Sequence, residues 1–175
     1  MPIQSLHHAA YRCKDAQQTV DFYTKVLDLK FSMAMAENNV PSTGEFSPYM
    51  HIFFEMADGS CVAFFELPEA LPMDRDHNTP QWVQHLALRV DDEAQLLFYK
   101  ARLEKAGCSV IGPTDHTIFK SIYFFDPSGN RLELTCNIDA PVELRKLAEL
   151  RDPMLKEWNT TKRPPQLAGF VHKKA

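Results

Sequence analysis

The sequence lacks several features that mark special classes of protein. No apolar run approaches the roughly 20 residues that a membrane-spanning helix needs. The first eight residues show no basic stretch followed by an apolar core, so we expect no secretory signal and a cytoplasmic location. The formal net charge of -4 over 175 residues provides no basic face, which argues against a nucleic-acid partner.

The cysteines also lack any diagnostic spacing. None of the four forms a C-x-x-C pair, and their positions match no zinc-ribbon or zinc-finger template. Three of them lie in apolar, strand-like runs, where a free cysteine behaves as a small hydrophobic residue. We therefore expect reduced thiols rather than a disulfide framework. The four are Cys13, Cys61, Cys108 and Cys136.

An internal repeat is the strongest signal in the sequence. His8-Ala-Ala-Tyr-Arg-Cys-Lys-Asp15 aligns without a gap with His85-Leu-Ala-Leu-Arg-Val-Asp-Asp92, at an offset of 85 − 8 = 77 residues. His, Ala, Arg and Asp coincide in the two segments. Each Asp is followed by apolar residues at helical spacing, so each segment predicts a strand and then a helix capped by that Asp.

Each copy then closes with a hairpin pattern. Apolar runs at 51–56 and 61–66 flank Asp58-Gly59, and runs at 121–125 and 131–135 flank residues 126–130. With shorter candidate strands at 29–35 and 109–111, the order is strand, helix and three strands, twice. This order predicts an α+β fold of two βαβββ modules, residues 3–67 and 82–136, joined by a linker at 68–81. We expect residues 137–175 to form a helical extension, with short helices at 141–150 and 153–158, and an irregular tail.

The turns predict which hairpin residues face each other. A two-residue turn at Asp58-Gly59 pairs residues whose numbers sum to 117 and places His51 opposite Glu66. A five-residue loop at 126–130 pairs residues whose numbers sum to 256 and places Tyr123 opposite Glu133. A slip of one residue would send one partner to the other face of the sheet.

Ionisable residues recur at matching places in the two copies. One such His alone is most simply a hydrogen-bonded core histidine, and one such Glu alone is most simply a residue on a solvated strand face. Here His8 and His85 recur on the first strands, and Glu66 and Glu133 on the last strands. If the copies pack about a pseudo-two-fold axis, all four converge. Imidazole and carboxylate groups suit zinc, nickel, manganese or ferrous iron, and two neighbouring buried carboxylates need a cation.

These residues resemble the vicinal oxygen chelate superfamily, which includes glyoxalase I, bleomycin-resistance proteins and type I extradiol dioxygenases. The resemblance covers residues 3–136 and rests on the two His-x-x-x-Arg-x-x-Asp openings and on Asp126-Pro-Ser-Gly-Asn-Arg-Leu-Glu133. It implies a curved mixed sheet around one divalent metal. It also implies that His8, His85 and Glu133 bind this metal. His7 is out of register with His85, so we expect it to face the other way.

A longer stretch narrows the resemblance to extradiol dioxygenases. The spacing of Thr114-Asp-His116, Ile122-Tyr123, Asp126-Pro-Ser-Gly129 and Glu133 is similar to their signature. The similarity implies that His116 and Tyr123 touch the substrate hydroxyl or bound oxygen. The strand at 61–67 lacks the additional acid–base His usual in that family. His51 is the nearest substitute, and His51 or His116 would move the hydroxyl proton.

The leading hypothesis is therefore a ferrous-iron extradiol dioxygenase that acts on a small catechol-like aromatic with dioxygen. A second hypothesis is a glyoxalase-like lyase or isomerase that uses zinc, nickel or manganese, with Glu66 as fourth ligand and base. A third is a metal-free sequestering module, against which the paired His and Glu residues argue. We expect a homodimer. The sequence leaves open whether the two modules pair within one chain or between the two chains of the dimer.

Overall fold

The computed structural model describes residues 2–74 and 76–165. The strands are β1 (His8–Cys13), β2 (Lys30–Asn39), β3 (Phe46–Glu55), β4 (Cys61–Glu66), β5 (Leu86–Arg89), β6 (Ile111–Asp115), β7 (Phe119–Phe125) and β8 (Arg131–Asn137), and the helices are α1 (Ala16–Lys25), α2 (Glu93–Lys105) and α3 (Pro141–Thr161). The predicted order of strand, helix and three strands, repeated twice, is confirmed. β2 runs further than predicted, and β6 begins where the predicted strand at 109–111 ends.

The strands form two four-stranded sheets, which confirms the α+β fold. Sheet A has the order β1-β4-β3-β2, and sheet B has the corresponding order β5-β8-β7-β6. Sheet A is mixed, because β1 runs parallel to β4 while β3 is antiparallel to both β4 and β2. Each module therefore places its first strand at a sheet edge, next to its last strand.

Helix α1 packs on one face of sheet A, which we call the helix face. The helix begins after Asp15, whose carboxylate accepts a hydrogen bond of 2.6 Å from the backbone N–H of Gln18, as the capping pattern predicts. Tyr23 of α1 is fully buried, and its ring centroid lies 4.9 Å from that of Phe54 and 4.8 Å from that of Phe64. These aromatic contacts fix the helix against β3 and β4.

The first hairpin closes in a way that the sequence analysis did not predict. Met56 N–H donates to Ser60 O at 2.9 Å, and Gly59, at φ +83°, completes a three-residue loop. Paired residues therefore sum to 116, and His51 lies opposite Phe65 rather than Glu66. The prediction of a two-residue turn was wrong, since Gly59 occupies the left-handed position that ends a three-residue loop.

The second hairpin closes with the same geometry, so its loop is three residues long rather than the predicted five, while the predicted register is kept. Asp126 N–H donates to Asn130 O at 3.0 Å, and Gly129 takes φ +91°. The hydroxyls of Ser121 and Thr135 lie 3.2 Å apart, which fits the predicted sum of 256.

The C-terminal extension is one helix rather than two. α3 continues through Pro153, although this residue has no N–H to donate to the carbonyl four residues earlier. The predicted tail lies largely outside the described residues. Across the described part of the chain, no helix is long and apolar enough to span a membrane.

The chain divides into two compact units that cut across the sequence modules. Unit 1 contains Met1–Leu86, Arg102–Ser109 and Phe124–Leu132. Unit 2 contains Ala87–Ala101, Val110–Tyr123 and Glu133–Ala175. The module boundaries at 67 and 82 describe the sequence repeat and remain a prediction.

Candidate functional site

The face of sheet A opposite to α1 carries His8 and His51, and we call it the histidine face. Along β4, Ala63 and Phe65 point to this face because strand residues alternate and Phe64 contacts the helix. The His51 ring stacks on Phe65 with centroids 3.6 Å apart, and lies 4.2 Å from Phe53. The His8 ring is 6.2 Å from that of His51.

His51 is the most unusual side chain on this face. It is only 7% exposed, and its Nε2 atom is buried and has no hydrogen-bond partner in the part of the chain that the structure describes. Burial lowers the pKa of His51, and the charge of His8 lowers it further. The imidazole is therefore neutral near pH 7 and can accept a proton, which agrees with the acid–base role predicted for it.

His8 contacts its neighbour His7. The Nδ1 atoms of the two rings are 2.7 Å apart, so one of them carries the shared proton. The expectation that His7 faces the other way was wrong, since His7 precedes β1 and does not follow the strand alternation.

Glu66 does not face His51. Its carboxylate accepts a hydrogen bond of 2.7 Å from the backbone N–H of Ala16, at the beginning of α1. It therefore lies on the helix face, opposite Met50 in the register, while His51 lies on the histidine face. The register error moved Glu66 to the wrong side of the sheet. The catalytic or ligand role predicted for Glu66 loses its geometric basis.

His85 lies just before β5, in unit 1. Its Nδ1 is 3.1 Å from the carbonyl oxygen of Val83. Because a carbonyl only accepts, Nδ1 carries the proton and Nε2 of a neutral ring carries the lone pair, as in a metal-binding histidine. His85 borders a cavity of about 810 Å³ whose wall includes Tyr11 and Phe64 of the helix face. The residues around this cavity include neither His8 nor His51.

Unit 2 brings together two of the predicted site residues. His116, in the turn between β6 and β7, has its Nε2 atom 2.8 Å from the hydroxyl oxygen of Tyr123. The His116 ring also packs on Phe119, with centroids 4.7 Å apart. The motif residues His116 and Tyr123 thus form a hydrogen-bonded pair. Its proton lies on either partner according to the tautomer of His116.

Glu133 also lies in unit 2 and is only 4% exposed. Its carboxylate accepts a hydrogen bond from the Ser121 hydroxyl. Ser121 and Tyr123 are two residues apart on β7, so Glu133 shares a face with the tyrosine. Ser121 was not among the predicted site residues, although a serine inside the apolar run of β7 was a visible signal.

The three predicted metal ligands have suitable chemistry. Two imidazoles and one carboxylate suit a divalent transition metal. Among residues 2–74 and 76–165, no group of three or more His, Cys, Asp and Glu side chains is arranged to hold a metal ion. His8, His85 and Glu133 therefore remain predicted ligands.

Comparisons with known proteins identify the family. The model of the glyoxalase/bleomycin resistance protein/dioxygenase superfamily matches residues 5–134. The chain belongs to this superfamily. The repeat, the α+β fold and the family expected from the sequence are therefore confirmed.

One curated protein has a sequence similar to most of this chain. A Bacillus subtilis (strain 168) protein named "Putative ring-cleaving dioxygenase MhqA" is 29% identical over 140 residues, which are 78% of this chain and 42% of that protein. The chain thus spans less than half of that relative's length.

Solved structures share the fold. A glyoxylase/bleomycin resistance protein/dioxygenase domain from Frankia sp. EAN1pec has a TM-score of 0.65 and 17% identity, and the match covers 79% of this chain and 95% of that one. A mutant fosfomycin resistance protein, FosX, from Listeria monocytogenes, complexed with Mn(II), has a TM-score of 0.57 and 19% identity, with 82% and 98% covered.

Proposed function

We propose that this protein is a metal-dependent oxidoreductase that opens the ring of a small catechol-like aromatic with dioxygen. The observation that carries the proposal is the 2.8 Å hydrogen bond between His116 and Tyr123. Tyr123 lies on β7, the strand that also places Ser121 beside the buried carboxylate of Glu133. This cluster occupies the stretch that resembles the extradiol signature. The similarity to a protein named as a ring-cleaving dioxygenase supports the same chemistry.

The proposed roles follow from the chemistry of each side chain. Tyr123 orients a substrate hydroxyl through its own hydroxyl, and His116 fixes the direction of that hydroxyl by hydrogen bonding. His51 accepts a proton at Nε2, since burial lowers the pKa of its ring and this atom has no partner among the described residues. The aromatic walls of Phe53 and Phe65 exclude water around His51.

The cofactor belongs to the proposal as well. We propose one divalent metal, preferably Fe(II), with Zn, Ni and Mn as alternatives, and His8, His85 and Glu133 as its ligands. His8, His85 and Glu133 would hold the ion through two imidazoles and one carboxylate, and a ferrous ion there would supply the chemistry for activating dioxygen towards a vicinal diol. We also propose a homodimer, and sedimentation together with metal content per chain tests both points.

Replacement of Tyr123 tests the role of the motif. Tyr123→Phe removes one hydroxyl and leaves the ring, so we expect metal content to be retained and turnover of a catechol to fall roughly tenfold or more. Tyr11→Phe is the matched control, because Tyr11 packs near Phe64 on the helix face of sheet A. Turnover is measured aerobically with iron-loaded protein and a panel of ring diols. Parental activity of Tyr123→Phe on every diol would contradict the proposed role.

A further inference from the structure

Arg12 is a cation on the histidine face. Successive side chains of a strand point to opposite faces of the sheet. The ring of Tyr11, the residue before Arg12 on β1, packs near Phe64 on the helix face, so Arg12 points to the histidine face. In the register of sheet A, Arg12 lies beside Phe65 on β4, and His51 lies beside Phe65 from β3. Arg12, Phe65 and His51 therefore form one row across three strands.

The charge of Arg12 is poorly compensated. One terminal guanidinium nitrogen donates to the backbone oxygen of Leu71 at 2.6 Å, while Nε is buried and has no hydrogen-bond partner among residues 2–74 and 76–165. No carboxylate of the described residues forms an ion pair with Arg12. Glu66, on the neighbouring strand, is on the other face and bonded to Ala16. A half-buried cation in this state gains strongly from an anion.

We infer that Arg12 recognises a carboxylate on the substrate, so that the substrate class is an aromatic diol bearing an acidic group. A guanidinium binds a planar carboxylate through directed, charge-assisted hydrogen bonds. Phe65, between Arg12 and His51, offers an apolar surface for an aromatic ring. The inference rests on the proposed function for the diol part of the substrate and on Arg12 alone for the acidic part.

The test compares probes of nearly equal shape that differ in charge. Benzoate and benzamide test recognition of the carboxylate without vicinal hydroxyls, and 3,4-dihydroxybenzoate and 3,4-dihydroxybenzamide test the diol. Affinities are measured by isothermal titration calorimetry with the full chain. We expect the parent protein to bind each acid about tenfold or more tightly than its amide, because a charge-assisted hydrogen bond contributes roughly this factor to affinity.

Three variants decide the role of Arg12. In Arg12→Met the acid-to-amide affinity ratio should fall to about one, and Arg12→Lys should keep part of the preference because it keeps the charge. Arg89→Met removes the arginine at the corresponding repeat position and should retain the full ratio. Circular dichroism confirms folding, and the Lys variant serves if the Met variant does not fold.

The possible results separate the two proposals. A ratio near one in the parent protein, or a ratio unchanged in Arg12→Met, overturns the recognition of a carboxylate by Arg12. A benzoate preference that depends on Arg12 supports it even if no diol is ring-opened, in which case the proposed function fails alone. Ring-opening of both diols with equal kcat/KM and equal affinity would support the proposed function and overturn the inference.

Discussion

The two hairpins that close the modules have the same loop geometry, but the side chains on the face that does not form the core differ between them. Met56 to Ser60 corresponds to Asp126 to Asn130, an offset of 126 − 56 = 70 residues, with the same pair of backbone hydrogen bonds in each. At this offset the buried residues Ile52, Phe54, Val62 and Phe64 correspond to Ile122, Phe124, Leu132 and Leu134, all of them apolar.

On the other face of each hairpin, the residues at corresponding positions have different chemical types. His51 and Ala63 of the first hairpin correspond to Ser121 and Glu133 of the second, and Phe53 corresponds to Tyr123. One hairpin thus presents an imidazole among aromatic rings, whereas the other presents hydroxyls and a carboxylate. The comparison teaches that the core of the repeat is duplicated while each copy carries a different part of the chemistry.

The largest expected effect is a loss of bound metal, which we predict for a variant of Glu133 but not for a variant of Glu66. Glu133→Ala removes a buried carboxylate that we propose as a ligand, so bound metal and turnover should fall to the level of the metal-free protein. Glu66→Gln is the matched control and should retain the metal, because Glu66 caps α1 on the helix face. Metal analysis after iron loading checks both variants. Metal loss in Glu66→Gln with retention in Glu133→Ala would reverse our assignment.

The shared cores predict matched losses of stability. Phe54 and Phe124 occupy corresponding positions and are at most 1% exposed. Replacing either by Ala should lower the free energy of unfolding by about 3–5 kcal/mol. Urea titration followed by circular dichroism measures both. A loss confined to one of them would show that the two hairpins are not equivalent in packing.

The turns predict smaller, equal effects. Gly59 and Gly129 take left-handed φ values of +83° and +91°, and a Cβ at either would meet no atom within 4 Å. Ala at each position should therefore cost only conformational energy, about 1–2 kcal/mol. Unfolding midpoints of Gly59→Ala and Gly129→Ala check this. If Gly59→Ala cost nothing, the three-residue loop of the first hairpin would be in doubt.

The smallest effect involves Tyr23, a phenol that is fully buried in the core of unit 1. Burial raises the pKa of Tyr23 well above its ordinary value, and the nearby Asp126 carboxylate raises it further. The unfolded chain therefore loses this proton first, near pH 10, and stability should fall as the pH rises from there. Tyr23→Phe should show a shallower fall between pH 9 and 11 in thermal melts. An identical pH dependence would exclude Tyr23 as its source.

Much of the fold could be predicted from the sequence because periodicity and turn residues are local signals. The repeat predicted the strand and helix order, and the loop at 126–130 predicted the correct register of the second hairpin. The first register failed because Asp58-Gly59 fits both a two-residue and a three-residue loop, and only the partners of Met56 and Ser60 distinguish them. The long α3 was missed because proline was taken as a helix end.

The candidate site could be predicted only in part. His116 and Tyr123 were predicted from a spaced motif, and the structure places their side chains in hydrogen-bond contact, while their roles stay a prediction. Glu66 was misplaced because a shift of one residue changes the face of a strand. The environment of His51 and the lack of a carboxylate partner for Arg12 among the described residues depend on burial and on neighbours distant in sequence, which no local pattern contains.

Ring cleavage itself is the central claim, and isotope labelling tests it most directly. Iron-loaded protein is supplied with 3,4-dihydroxybenzoate or catechol under ¹⁸O₂, and the products are analysed by mass spectrometry. We predict a ring-opened product that contains both oxygen atoms of one ¹⁸O₂ molecule, with a much lower yield from Glu133→Ala. Intact diols, or a product without ¹⁸O, from fully iron-loaded protein would contradict the account.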